Sequence, residues 1–255
     1  MTIAVQRALS LLELFTESAP EIGLSDAARL SGHDKATVHR LLGTLRAAEL
    51  VEQDPQTKLY RIGPAVLRLA RVREKSMPLL SVVQPLLGQL TQETGETSHF
   101  SLYTGESLVV VASCDSSKPN HVAMSRLEAL PLHATASGIA YLAFAAADLV
   151  ERLVANPLTR YTGRTVTDPD GIRDTLQKVR QAGFAIVDRC YDDDVLGIAV
   201  PVFGAPDATA MGALAVAAPR SRMTKPAQAR IVELLAKTNC ELSRRMGLLG
   251  SVTPG

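Results

Sequence analysis

The residue types that could carry covalent or metal chemistry are scattered along the chain and form no established motif. The five histidines have no metal-site spacing, and the sequence contains no phosphate-binding loop, dinucleotide fingerprint, nucleophile elbow or zinc-protease motif. The consecutive carboxylates Asp192–Asp194 cannot all face one ion from an extended segment, so we interpret them as a solvated loop. Cys190 follows Arg189, which could lower the thiol pKa, but no partner base is evident. We expect no catalysis, metal or cofactor, and an enzyme that uses His133, Cys190 or Asp192 is the alternative.

The segment Leu130–Gly138 (LPLHATASG) suggests a binding site rather than a catalytic one. Thr135, Ala136 and Ser137 are small or hydroxyl residues at the predicted start of a helix. Backbone N–H groups in the first turn of a helix have no intrahelical acceptor, so they can bind a carboxylate or a phosphate. The competing interpretation is a helix that is merely capped and packed closely on a sheet, and the residue types alone favour it.

Contact with DNA is indicated by a helix predicted to follow its cap, Asp34, and to run to about Ala48. Its narrow apolar side consists of Val38, Leu41, Leu42 and Leu45. The opposite side has small residues around one arginine, with Lys35 at the start and Thr37 and His39 beside it: Ala36, Arg40, Gly43 and Ala47. Such a face suits the major groove, where bulk is penalised and arginine can bind guanine or phosphate. A short surface helix that happens to be rich in alanine is the alternative.

Two shorter helices are predicted before this one. The apolar spacing from Val5 to Phe15 is typical of an amphipathic helix. Ser25 is a suitable cap for a second helix, Asp26–Leu30, which the turn Ser31–His33 separates from the third. Two helices around a short glycine-containing turn are typical of a helix-turn-helix.

A β-hairpin is predicted after the third helix, and it makes the motif a winged helix-turn-helix. Leu50–Gln53 and Lys58–Ile62 are the strands, and Asp54–Thr57 is the turn. The hairpin would bring the basic side chains of Lys58 and Arg61 near the phosphate backbone of DNA. The candidate DNA contacts are Ser25, Lys35, Ala36, Thr37, His39, Arg40, Gly43, Arg46, Lys58 and Arg61.

Charge and length support a small nucleic-acid module joined to a larger unit. The 255 residues carry 27 Lys and Arg against 26 Asp and Glu, which excludes a uniformly basic coat. Residues 29–75 nevertheless hold ten basic residues against five acidic ones. We expect a DNA-binding domain over 1–62, a linker helix over 63–76 that could pair with a partner subunit, and one further domain over 77–250.

The larger domain is predicted to hold a mainly antiparallel sheet with helices outside, an α/β (α+β) fold, because its strands come in runs. A helix over 79–93 contains Pro85, which should kink or divide it near Val83. Asp168 or Asp170 caps a later helix that runs to about Ala182. The other predicted strands are 98–103, 107–113, 122–127, 184–188, 196–203 and 211–217, with a turn at 205–207, and the other helices are 137–146, 148–154 and 226–246, the last capped by Thr224.

Composition predicts a globular cytoplasmic protein. Hydrophobic residues make up 46% and charged residues 21% of the chain, and no stretch approaches the ~20 apolar residues that span a bilayer. No signal peptide is evident, and three widely spaced cysteines indicate neither a disulfide framework nor a zinc knuckle.

Five segments together resemble the IclR family of bacterial transcriptional regulators, over almost the whole chain. They are LSDAA at 24–28, ATVHRLLGTL at 36–45, YRIGP at 60–64, LPLHATASG at 130–138 and IAVPVF at 198–203. The resemblance implies a winged helix-turn-helix joined by a helix to a GAF-like effector-binding domain. It also implies a homodimer, or a dimer of dimers, on a roughly palindromic operator, controlled by a small organic or aromatic acid. The effector-binding positions that it implies are Thr135, Ala136, Ser137, Val187, Asp188, Cys190, Gly197, Ala215 and Ala217.

Several of these positions depart from the family pattern. Alanine stands at 215 and 217 where serine is common, and Cys190 stands where many members have glutamate. Fewer hydroxyl groups mean fewer hydrogen bonds to a polar ligand. We therefore expect a larger and more apolar effector, such as an aromatic or acyl compound, held by the backbone N–H groups of residues 136 and 137.

Overall fold

Residues 1–77 fold as one unit and residues 78–255 as another. The structure, a computed structural model, describes residues 3–16, 19–76, 79–105, 107–124, 129–204 and 209–246. In the first unit the elements are α1 (Ile3–Ser10), a 3-10 turn (Leu11–Leu14), β1 (Glu21–Ile22), α2 (Leu24–Ser31), α3 (Lys35–Ala47), β2 (Val51–Gln53), β3 (Tyr60–Ile62) and α4 (Pro64–Ser76).

The first unit is a helix-turn-helix with a wing, as predicted. Gly32 ends α2 with a φ of 69°, a left-handed conformation that glycine adopts without steric cost. Asp34 begins α3 by accepting a hydrogen bond from Thr37 N at 2.9 Å. The predicted hairpin pairs β2 with β3, and β1, which the sequence did not reveal, adds a third antiparallel strand on the other edge of β3.

Two predictions in this unit were wrong. Ser25 does not cap α2, because Gly23 already has the extended cap conformation and its carbonyl accepts the first helical hydrogen bond from Ala27 N. The first helix ends at Ser10 and gives way to the 3-10 turn, so its apolar stripe does not stay on one side. Val5 and Leu9 are consequently about half exposed, and Leu11 is fully buried.

The second unit is a six-stranded, fully antiparallel sheet in the order β6-β5-β4-β9-β8-β7. One face packs against α5 and α9, and the other packs against α6 and α8, which confirms helices outside an antiparallel sheet. The elements are α5 (Leu79–Thr94), β4 (Thr97–Tyr103), β5 (Leu108–Cys114), β6 (Ala129–Leu130), α6 (Ala136–Ala143), α7 (Ala147–Val154), α8 (Pro169–Ala182), β7 (Ala185–Asp188), β8 (Val195–Phe203), β9 (Ala210–Pro219), a 3-10 turn (Arg220–Arg222) and α9 (Lys225–Arg245).

The caps, most strand runs and the helix over 79–93 were predicted well, whereas a strand at 122–124 and a division of that helix at Pro85 were not found. Asp168 and Thr224 cap α8 and α9 as expected. Helix α5 is not divided at Pro85, because Val83 and Leu87, on either side of the proline, are both buried in one apolar cluster. Residues 122–124 are not in a strand, and residues 125–127 and the turn at 205–207 lie outside the described residues. In the part of the chain that the structure describes, no helix is long and apolar enough to cross a membrane.

Candidate functional site

Helix α3 presents a basic face of small residues. Val38, Leu41, Leu42 and Leu45 are buried and hold the helix in the core of the first unit, as predicted. This anchoring leaves Lys35, Ala36, His39 and Arg40 exposed, with Thr37 and Gly43 partly exposed. Within the described residues, no acidic side chain pairs with Lys35 or Arg40, so both cations are available to a ligand.

Two of the predicted DNA contacts are instead tied to the wing. Arg61 on β3 pairs with Glu52 at 2.5 Å and with Glu21 at 3.6 Å, and these carboxylates raise its pKa. Arg46 at the end of α3 donates to Gln53 Oε1 at 3.2 Å. Arg61 therefore links the three strands of the sheet to one another, and Arg46 links α3 to β2, whereas the sequence suggested that both side chains contact DNA.

The tip of the wing carries a lysine side chain that has no ion-pair partner among the described residues. The carboxylate of Asp54 accepts hydrogen bonds from the backbone of Gln56 and Thr57, which lowers its pKa and shapes the turn. Lys58 follows with a φ of 60°, and its side chain is exposed without an ion-pair partner in the described part of the chain. Ser25, the remaining candidate, is exposed in the first turn of α2.

The second unit contains a cavity of about 160 Å³ between the start of α6 and the sheet. Eight of the nine predicted effector residues line it: Thr135, Ala136, Ser137, Val187, Cys190, Gly197, Ala215 and Ala217. Val122 and Met124, from the segment predicted as a strand, line it as well. Most of the effector-binding residues predicted from the sequence therefore lie around one cavity.

Two glycines allow close contacts at the start of α6, Gly138 with the preceding loop and Gly197 between α6 and β8. Thr135 caps the helix, because its Oγ1 accepts from Gly138 N at 3.0 Å and donates to Pro131 O at 2.9 Å. A Cβ at Gly138 would collide with the Leu132 carbonyl, and a Cβ at Gly197 would lie 3.0 Å from the Ala136 Cβ. The first turn of α6, residues 135–137, thus lines the cavity, and half of the lining residues are alanine or valine.

Asp188 does not line the cavity. Its carboxylate lies 2.9 Å from Arg220, 3.2 Å from Arg189 and 3.9 Å from Arg164. Successive residues of a strand point to opposite faces, so Val187 faces the cavity and Asp188 faces away from it. The expectation that Asp188 contacts an effector is therefore not supported by its position.

Cys190 and His133 are not arranged for nucleophilic catalysis. Burial and the nearby Asp188 raise the pKa of the Cys190 thiol, whereas the sequence suggested that it is lowered. The neutral thiol donates to Arg164 O at 3.3 Å. His133 forms a hydrogen bond with Thr159 O at 2.8 Å and does not line the cavity beside Cys190 and Asp192.

His99 is a cavity residue that the sequence reasoning missed. It lies on the central strand β4, opposite Ala215 of β9, and is 4% exposed. Burial lowers its pKa to about 4, so the imidazole is neutral at neutral pH. Its Nε2 lies 3.0 Å from Ser137 Oγ. The signal available in the sequence was a histidine inside a predicted strand, and the pairing of β4 with β9 was needed to place it.

Comparisons with known proteins agree with this architecture. The helix-turn-helix domain of IclR matches residues 4–55, and the C-terminal domain of the bacterial transcriptional regulator IclR matches residues 73–244. XynR of Escherichia coli K12, an HTH-type transcriptional regulator, is 29% identical over 96% of this chain and 97% of its own. The regulator BhcR of Paracoccus denitrificans is also 29% identical, over 94% of this chain and 86% of its own.

Solved structures have the same fold. A crystal structure from Silicibacter sp. TM1040, assigned to the IclR regulators, is 44% identical with a TM-score of 0.91 over 98% of both chains. An IclR homologue from Microbacterium hydrocarbonoxydans, complexed with 4-hydroxybenzoate, has a TM-score of 0.76 at 22% identity, over 96% of this chain and 99% of that one.

A winged helix-turn-helix followed by an α/β unit with a cavity defines a class, the DNA-binding transcriptional regulators with an effector-binding domain. The two matched domains together span almost the whole chain. The chain belongs to the IclR family of bacterial transcriptional regulators.

Proposed function

We propose that this protein binds a near-palindromic operator as a dimer, with a dimer of dimers as the higher assembly, and that a small organic or aromatic acid controls the binding. The observation that carries the proposal is the cavity lined by the first turn of α6, whose backbone N–H groups have no intrahelical acceptor, in a chain that also has a helix-turn-helix. Each half of the operator would receive one α3, with Lys35 and Arg40 at bases or phosphates and Lys58 at the flanking backbone.

The cavity favours a monovalent acid of about one aromatic ring. None of the described residues that line it is lysine or arginine. The positive potential for a carboxylate would come from the N-terminus of α6 and its free N–H groups. A cavity of about 150 Å³ accommodates benzene, so the 160 Å³ found here suits the part of an effector that is about the size of one ring. The 4-hydroxybenzoate found with the Microbacterium homologue is of this size, which makes it a suitable probe.

Helix α4 is the candidate dimer contact and the candidate route of control. Gly63 N and Ala65 N donate to the backbone carbonyls of Leu50 and Glu49, so the start of α4 is attached to the DNA-binding unit. Leu69 and Val72, three residues apart on one side, are 58% and 63% exposed. An apolar stripe of this kind suits a second copy of the same helix. An effector would act by binding the DNA-competent and incompetent dimers with different affinity.

The test is the selection of bound fragments from the source genome at two salt concentrations, about 0.1 and 0.3 M. A near-palindromic site should be enriched near this gene, with weaker retention at the higher salt because phosphate contacts release counterions. Addition of 4-hydroxybenzoate or of the acids metabolised by neighbouring gene products should change the retention. Failure to enrich any site at either salt, with or without these acids, would contradict the proposal.

A further inference from the structure

His99 has one imidazole nitrogen for which the described residues provide no hydrogen-bond partner. The side chain lines the cavity and is 4% exposed. Its Nε2 lies 3.0 Å from Ser137 Oγ, whereas Nδ1 is buried and has no hydrogen-bond partner in the described part of the chain. A buried polar atom without a partner is rare in native proteins because it has lost its water without replacement.

The chemistry of the missing partner follows from the neutral ring. One nitrogen of a neutral imidazole donates and the other accepts, and the serine hydroxyl can meet either form at Nε2. Nδ1 is therefore a donor or an acceptor that needs a complementary group. A ligand hydroxyl satisfies both forms, and a carbonyl oxygen satisfies the form with a proton on Nδ1. The neighbouring cavity residues Ala136, Ala215 and Ala217 have no polar side-chain atom to offer.

We propose that His99 determines effector specificity by pairing its Nδ1 with a hydroxyl or carbonyl oxygen that the effector carries in addition to its carboxylate. The effector class is then the hydroxy- and keto-carboxylic acids small enough for the cavity. Ser137 connects the two anchor points, because its backbone N–H belongs to the carboxylate site and its Oγ contacts His99 Nε2. This inference rests on the carboxylate site of the proposed function, and it adds a polar anchor to the larger and more apolar effector that the sequence suggested.

The test compares acids that differ by one oxygen. Titration calorimetry of the full-length protein would use benzoate against 4-hydroxybenzoate and 3-hydroxybenzoate, and propanoate against 2-hydroxypropanoate and 2-oxopropanoate. In at least one series, the acid with the extra oxygen should bind about tenfold more tightly, since it satisfies a buried polar atom that the parent acid leaves unpaired.

Two variants separate ligand contact from a structural role. His99→Asn keeps a polar atom near the position of Nδ1, whereas His99→Gln keeps one near Nε2 and hence the contact with Ser137. The preference should persist in part in His99→Asn and disappear in His99→Gln. If His99 only orients Ser137, the preference should instead disappear in His99→Asn and persist in part in His99→Gln. Circular dichroism of both variants would confirm that the fold is retained.

Ser101→Ala is the matched control. Ser101 is also buried and unpartnered, two residues further along β4, but it does not belong to the described residues that line the cavity. Its removal should leave the preference for the additional oxygen unchanged.

The outcomes distinguish this inference from the proposed function. Equal binding of all members of both series by the wild type would overturn the role of His99 and leave the carboxylate site intact. Retention of the full preference in His99→Gln would also overturn it. If none of the acids binds, the carboxylate site itself is wrong, and the inference falls with it.

Discussion

At the scale of single residues, the partners of each arginine decide whether it is available to DNA. Arg40 has no carboxylate partner in the described part of the chain, whereas Arg61 has two. An arginine held by carboxylates must give up those ion pairs before it can bind phosphate. Arg40 is therefore the stronger candidate for direct DNA contact, although the sequence ranked both among the contacts.

Arg40→Ala should lower operator affinity by about 1–3 kcal/mol if its guanidinium contacts a base. Lys58→Ala should weaken binding to all sequences alike and flatten the salt dependence, because it removes a phosphate contact. Fluorescence anisotropy with operator and scrambled duplexes at several salt concentrations measures both effects. Arg173→Ala, which removes an ion-paired arginine from the second unit, is the control. Unchanged operator affinity in Arg40→Ala would show that the assigned DNA-facing side of α3 is wrong.

The burial of His99 makes stability depend on pH. Its pKa is about 4 in the folded protein, against 6.5 for the unperturbed group. The unfolded chain therefore binds a proton more readily, and stability that is complete above pH 6.5 is lost as the pH falls towards 4. The loss attributable to this residue is about 3 kcal/mol. Since the chain has no tryptophan, urea unfolding followed by circular dichroism at about pH 7.5 and pH 4.5 is the measurement. His99→Asn should lose less stability over this range than the wild type, and equal losses would contradict the prediction.

At the scale of elements, the position of α6 depends on backbone contact rather than on side-chain packing alone. Gly138 lies against the Leu132 carbonyl so closely that a methyl group has no room. This contact fixes the first turn of the helix, and with it the N–H groups that face the cavity. A local change at residue 138 should therefore affect both stability and ligand binding.

Gly138→Ala should destabilise the second unit by about 1–3 kcal/mol and weaken acid binding, because the added Cβ pushes α6 away from its contact. Gly88→Ala is the matched control, since Gly88 also lies within a helix but a Cβ there meets nothing within 4 Å. It should stabilise the protein by about 0.5–1 kcal/mol through the better helix propensity of alanine. Urea midpoints and calorimetric affinities report both variants, and the same sign of stability change in both would rule out the steric explanation.

At the scale of the whole molecule, control of DNA binding requires that two copies of α3 be held at a defined separation. A near-palindromic operator needs a two-fold symmetric dimer, and one helix-turn-helix alone contacts only half of it. The exposed side chains of Leu69 and Val72 on α4 are the proposed contact between the copies. Their removal should therefore act on operator binding without touching a DNA-facing residue.

The double change Leu69→Glu and Val72→Glu should raise the dimer dissociation constant by about 100-fold or more, because it replaces apolar contact with four like charges. Operator affinity should fall in parallel. Sedimentation velocity and anisotropy measure the two effects. Leu30→Glu, a similarly exposed leucine on α2, serves as the control and should leave the sedimentation coefficient unchanged. A double variant that remains dimeric would exclude α4 as the contact.

The sequence by itself determined the elements that depend on local periodicity and local hydrogen bonds. The buried stripe of α3 and the caps Asp34 and Thr224 were evident before the structure, as was the cap of α8 to within two residues, since each depends on residues within one or two turns. The antiparallel arrangement of the large sheet followed from strands in runs, and the family resemblance supplied eight of the described cavity residues. These features needed no knowledge of distant contacts.

Only the tertiary structure decided which side chains meet across the sheet. The pairing of β4 with β9 places His99 opposite Ala215, and the packing of α6 on the sheet brings His99 to Ser137, 38 positions away. Asp188 turns towards three arginines rather than the cavity, and Arg61 pairs with Glu21, 40 residues before it in the chain. Strand register and ion pairing between distant segments depend on the packing of the whole unit, because the same side chain faces the opposite side if the register shifts by one residue. A single sequence does not contain that information in any local pattern, so the candidate site was predicted in place but not in detail.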